Sequence, residues 1–210
     1  MNIKKEWLSE YIGVFALTFI GTAAMAGGGD LLTVALAHGL TIAVMVSALA
    51  KTSGAHFNPA VTIALWSIDK FESKNILGYI VSQVLGGVVG ALLALWIWGS
   101  GQGVPAFNGV SNLQGMLVEI TLTFFLVFVI ISTVINKMPA KNAALYIGLT
   151  VLIGILAGGP STGAAMNPAR HLGSYLVSGG NDIQVILIYW VAPLIGGIKA
   201  AKMWKNWLSS

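Results

Sequence analysis

The sequence predicts an all-α integral membrane protein, with six transmembrane helices and two re-entrant half-helices in an inverted repeat. Three observations predict it. Of 210 residues, 56% are hydrophobic and only 9% are charged, with a mean hydropathy of +0.84; a soluble globular chain carries roughly 25% charged residues. Six segments are apolar enough to cross a bilayer. The tripeptide Asn-Pro-Ala occurs twice, after Ser/Thr-Gly-Ala each time, in TSGAHFNPAV and GGPSTGAAMNPAR.

A membrane-crossing helix needs about 20 mostly apolar residues. The segments 7–27, 31–50, 75–98, 114–135, 142–158 and 183–203 qualify. The start, MNIKKEWLSEYIGVF, has the lysines of a signal peptide, but Glu10 interrupts the apolar run, which then continues to full length. It reads as a retained first helix. Two shorter apolar runs, 59–68 and 168–177, lie between the second and third spans and between the fifth and sixth. At about ten residues each they reach roughly 15 Å, half of the ~30 Å hydrocarbon core. Neither can cross alone, so both are expected to re-enter from and return to one side.

In that scheme every lysine (Lys4, Lys5, Lys51, Lys70, Lys74, Lys137, Lys141, Lys199, Lys202 and Lys205) falls on one face. The opposite loops hold Asp30, Asp182 and the single arginine, Arg170. The positive-inside bias then puts both termini in the cytoplasm, with a plasma or inner membrane as the expected location. A nucleic-acid partner is a poor reading of the formal charge of +4, because these charges follow the membrane faces.

Aligning Glu10 with Glu119 also aligns Phe19 with Phe128, Ser53 with Thr162, Gly54-Ala55 with Gly163-Ala164, and Asn58-Pro59-Ala60 with Asn167-Pro168-Ala169. One further residue of shift aligns Tyr79, Val81, Gly86 and Gly87 with Tyr189, Val191, Gly196 and Gly197. Length and hydropathy suggest one transmembrane domain over 1–210, with repeat one at about 1–105 and repeat two at about 106–210. Each repeat has three spans, an odd number, so the second copy is inverted. Such repeats place short broken helices near the bilayer midplane. Asn is a favoured N-cap and Pro suits the first helical position. Both half-helices are therefore expected to start at the membrane centre, each presenting about half a positive charge.

With SGAHFNPAVT, TGAAMNPAR, the Glu10/Glu119 pair and YWVAPLIGG on the page, the chain resembles the aquaporin (major intrinsic protein) family over essentially its whole length. The resemblance implies a passive channel for water that excludes protons and ions. Asn58 and Asn167 would donate to passing water, with Pro59, Ala60, Pro168 and Ala169 as the scaffold that aims them. The outer selectivity filter would be His38, Ile155, Ala164 and Arg170, a quartet similar to that of plant vacuolar aquaporins. With Ile and Ala rather than an aromatic wedge, it suits water and leaves ammonia or another small neutral solute as extra permeants. His56 would line the pore or support its loop, and Glu10 and Glu119 would accept from the re-entrant backbone. His171 and Ser174 depart from the family pattern. The family also implies a homotetramer.

Other functions remain open at this point: a broader aquaglyceroporin-type channel, or a membrane junction or scaffold protein. A secondary transporter would need ionisable coupling residues along its path, and the spans hold almost none. Paired carboxylates invite an enzyme reading, but repeat-related Glu10 and Glu119 fit a structural one. With no cysteine, thiolate metal sites and Cys nucleophiles are excluded. No cofactor or metal is expected.

Overall fold

The computed structural model describes residues 4–99, 103–135 and 138–208. Among the described residues the chain forms eight α-helices: α1 (Lys5–Ala26), α2 (Leu31–Ser53), α3 (Pro59–Trp66), α4 (Ser73–Trp98), α5 (Asn112–Ile135), α6 (Ala140–Thr162), α7 (Pro168–Val177) and α8 (Ile183–Met203). A short π-helical turn, Trp204–Leu208, continues α8. Six of these helices are long and apolar enough to span a membrane, and among the described residues α3 and α7 are the two short ones. The expected fold class is the one observed.

Polar side chains start several helices. Asp30 accepts from Thr33 N at 2.8 Å to cap α2, and Asp182 accepts from Gln184 N at 2.8 Å to cap α8. Asn58 and Asn167 cap α3 and α7, with Pro following in the first turn, where its missing N–H costs nothing. Two helices run three to four residues past their expected ends. Helix α2 runs to Ser53 rather than residue 50, and α6 to Thr162 rather than residue 158. The polar residues there are held by buried partners instead of facing lipid, so hydropathy underestimates the helix. Left-handed Gly54 (φ +84°) and Gly163 (φ +71°) then end both helices. Helix α3 stops at Trp66 rather than residue 68, because the chain reverses through left-handed Asp69 (φ +61°).

Lipid is as apolar as a leucine side chain, so burial of apolar area does little to join membrane helices; close backbone approach does more. Glycines sit where that approach is closest. Gly86 of α4 faces the carbonyl oxygen of Tyr11 in α1, and Gly196 of α8 faces that of Ile120 in α5. Gly39 of α2 and Gly148 of α6, equivalent positions in the two repeats, face each other's carbonyls. The half-helices are exchanged: Gly87 of α4 lies over Ala169 of α7, and Gly197 of α8 over Ala60 of α3. Each repeat thus packs the other's half-helix, so neither repeat could bury its own alone.

Lysines flank the start of α1, the end of α2, both ends of the α3–α4 connection, the start of α6 and the end of α8; Lys137 lies outside the described residues. Lys205 reaches Asp69 at 2.7 Å, which brings the end of α8 to the α3–α4 connection.

Candidate functional site: a cavity between opposed half-helices

The chain enters each half-helix through strained backbone. Ala55 and Phe57 have φ of +50°, and Ala164 and Met166 have +46° and +49°. Non-glycine residues avoid this left-handed region at a cost of about 1–2 kcal/mol each, so something must hold them there. Buried Glu10 does so for the first loop. Its carboxylate accepts from His56 N at 2.9 Å, Phe57 N at 2.6 Å, Ser53 Oγ at 2.7 Å and Gln83 Nε2 at 2.8 Å. Glu119 does the same for the second, accepting from Ala165 N at 2.9 Å, Met166 N at 2.7 Å and Thr162 Oγ1 at 2.7 Å. Tyr79 and Tyr189 donate to the carbonyls of Ser53 and Thr162 at 2.7 and 2.6 Å. The two carboxylates stand behind the loops and do not line the cavity.

Asn58 Oδ1 accepts from Ala60 N at 2.8 Å, and Asn167 Oδ1 accepts from Ala169 N at 3.1 Å and Arg170 N at 3.2 Å. With its oxygen occupied, each amide turns its NH₂ outward. One N–H of Asn58 goes to the carbonyl of Met166 at 2.7 Å, and one of Asn167 to that of Phe57 at 2.7 Å. An amide nitrogen has two hydrogens, so each asparagine keeps one further donor. Pro59, Ala60, Pro168 and Ala169 are buried away from the cavity.

His38, Ile155, Ala164 and Arg170 come together on one cavity of about 700 Å³, which Asn58, Asn167 and His56 also line. They arrive from α2, α6, the second loop and α7. His38 Nδ1 lies 2.8 Å from the carbonyl of Val34, which can only accept. Nδ1 therefore carries the proton, and Nε2 accepts from Arg170 Nη2 at 3.1 Å. Among the described residues no carboxylate is within ion-pair distance of Arg170, and its buried Nη1 has no hydrogen-bond partner. His56 lines the cavity, while its ring packs on Phe71 and Tyr79 and its Nδ1 lies 3.1 Å from Thr62 Oγ1.

Sequence reasoning missed two groups. Gln83, polar within a span, supports both Glu10 and Thr62; its polarity in an apolar segment was the available signal. The apolar lining, including Leu17, Val46, Ile147 and Val151, carried no signal, because these residues look like every other apolar residue in their helices.

The model of the major intrinsic protein family matches residues 1–204. The chain belongs to this family. As members of it are channels and not enzymes, the carboxylates have no catalytic reading. The chain is 42% identical over 206 residues to Aquaporin TIP4-4 of Zea mays, covering 90% of this chain and 81% of that one. It is 35% identical to the probable aquaporin AqpM of Archaeoglobus fulgidus, across 100% of this chain and 98% of that one. An aquaglyceroporin structure from Plasmodium falciparum superposes with a TM-score of 0.91 at 28% identity, over 97% and 96% of the two chains. The relatives of this multi-pass membrane channel thus include both aquaporins and an aquaglyceroporin.

Proposed function

We propose that this family member is a passive water channel that excludes protons and ions and also passes ammonia or another small neutral solute. The observation that carries the reading is the pair of asparagines within the cavity, each with its oxygen tied to its own half-helix and one N–H left over. A water between them accepts from both amides. Its own hydrogens then point away along the path, so neighbouring waters orient in opposite senses and no continuous proton wire crosses the centre. The two half-helix ends, at about half a positive charge each, and Arg170 oppose any cation.

His38, Ile155, Ala164 and Arg170 form the selectivity filter. Arg170 donates to the permeant molecule and Ile155 and Ala164 leave the opposite wall apolar. The resemblance to vacuolar plant channels and the maize relative support this assignment, and the absence of an aromatic wedge argues against a channel built around glycerol. The likeness to the malarial aquaglyceroporin favours a second reading, a broader small-solute channel. The single domain of two repeats dividing near residue 105, both termini in the cytoplasm, and a homotetramer with one pore per subunit complete the proposal.

Stopped-flow light scattering on proteoliposomes, with water, glycerol, urea and methylamine at several pH values, tests it. Fast water flow with negligible glycerol entry supports the water channel, and methylamine flux adds ammonia. Fast glycerol entry transfers support to the broader reading. No flux above empty liposomes favours the scaffold.

A further inference from the structure

We propose that Gly21 of α1 determines solute selectivity by giving the His38 ring its seat, an inference that rests on the reading of His38 as a filter residue. Leu17 and Met25, one turn before and one turn after Gly21, both line the cavity. Residues four apart share a helix face, so Gly21 interrupts an otherwise side-chain-bearing stripe at the level of the filter. What fills the gap is His38. A Cβ on Gly21 would run into Nε2 and Cε1 of that ring and stand 2.8 Å from Cδ2.

The ring is clamped on its other sides. Nδ1 is bonded to the Val34 carbonyl at 2.8 Å and Nε2 to Arg170 Nη2 at 3.1 Å. Helix α1 has no room to retreat, because Gly90 of α4 already packs on its far side: a Cβ at Gly90 would lie 2.7 Å from Phe15 O and 3.2 Å from Phe19 N. Helix backbones packed this closely do not yield, so a side chain at position 21 moves the ring instead. The ring then leaves Arg170, and both long side chains enter the constriction they now frame. A bare backbone on α1, outside the four filter residues, thereby sets the width and hydrogen bonding of the filter.

The test is a double-mutant cycle on the full chain in proteoliposomes. Water and glycerol fluxes are measured for the native chain, Gly21→Ala, His38→Ala and the double variant, with thermal unfolding of each. Gly21→Ala is expected to lower water flux about tenfold, the rate equivalent of roughly 1.4 kcal/mol, and to change the water-to-glycerol ratio. In the His38→Ala background the same change is expected to alter neither flux, because the colliding ring is gone. If Gly21→Ala does not fold but the double variant does, the rescue supports the proposal in the same way. Equal losses in both backgrounds, a double variant that also fails to fold, or undiminished flux in Gly21→Ala would overturn it. His38→Ala alone checks the underlying reading: an unchanged water-to-glycerol ratio would remove His38 from the filter and the proposal with it, whereas a changed ratio with an inert Gly21→Ala rejects only the role of Gly21.

Discussion

Asn58 donates from Nδ2 to the backbone oxygen of Met166 at 2.7 Å, across the interface between the two repeats. Asn167 returns the bond to Phe57 at 2.7 Å. The two half-helices are therefore locked end to end by the same amides that offer donors to the cavity, so helix positioning and the cavity donors share atoms.

Changing Asn58 separates the two roles. Asn58→Asp keeps an oxygen for Ala60 N but sets a carboxylate against the Met166 carbonyl. A buried charge without a partner costs about 3–5 kcal/mol, whereas Asn58→Ala loses a cap and a hydrogen bond worth about 1 kcal/mol each. Thermal unfolding should rank Asp below Ala. A pH-sensitive dye inside liposomes should report a proton leak in whichever variant still assembles.

Glu119→Gln should damage the second loop although the side chains have the same shape. One acceptor oxygen becomes an NH₂ facing Ala165 N or Met166 N, donor against donor, at roughly 1–3 kcal/mol. The left-handed residues Ala164 and Met166 then lose their restraint. A lowered melting temperature together with lost flux is expected; unchanged stability would contradict the support role.

Water flow should resist mercurials, as the chain has no cysteine. Ala164→Cys should make it sensitive and reversible by added thiol, because residue 164 lines the cavity. A cysteine at this position that leaves flow insensitive to mercury would remove it from the lining.

Ile155→His would add a donor and narrow the apolar wall of the cavity. The ratio of methylamine to water flux is expected to fall severalfold, with glycerol still excluded. An unchanged ratio would mean that Ile155 does not set solute range.

The Asp69–Lys205 pair ties the C-terminal turn to the α3–α4 connection. Hydrogen bonding and charge attraction from Lys205 hold the exposed Asp69 carboxyl below its usual 3.8. The carboxylate is thus charged above that value and loses its partner only as pH falls through the lower folded value. Amide exchange at Trp204–Leu208, corrected for intrinsic rate, should be flat from about pH 5 to about pH 8. It should rise in Asp69→Asn, a change that still suits left-handed backbone.

Six spans, two half-helices and their inverted relation were legible in the sequence, because they follow from one-dimensional facts. Length against bilayer thickness sets what can cross, an odd number of spans inverts the repeat, and Asn-Pro starts a helix wherever it lies. The ends at Ser53 and Thr162 were not legible: hydropathy scores each residue as if it faced lipid, and these two face Glu10 and Glu119. Only the tertiary structure decided which apolar residues line the cavity, that the half-helices are exchanged between repeats, and that His38 rests against Gly21 while accepting from Arg170. Those are contacts between residues far apart in the chain, and a glycine's missing side chain has meaning only beside the group that occupies its place.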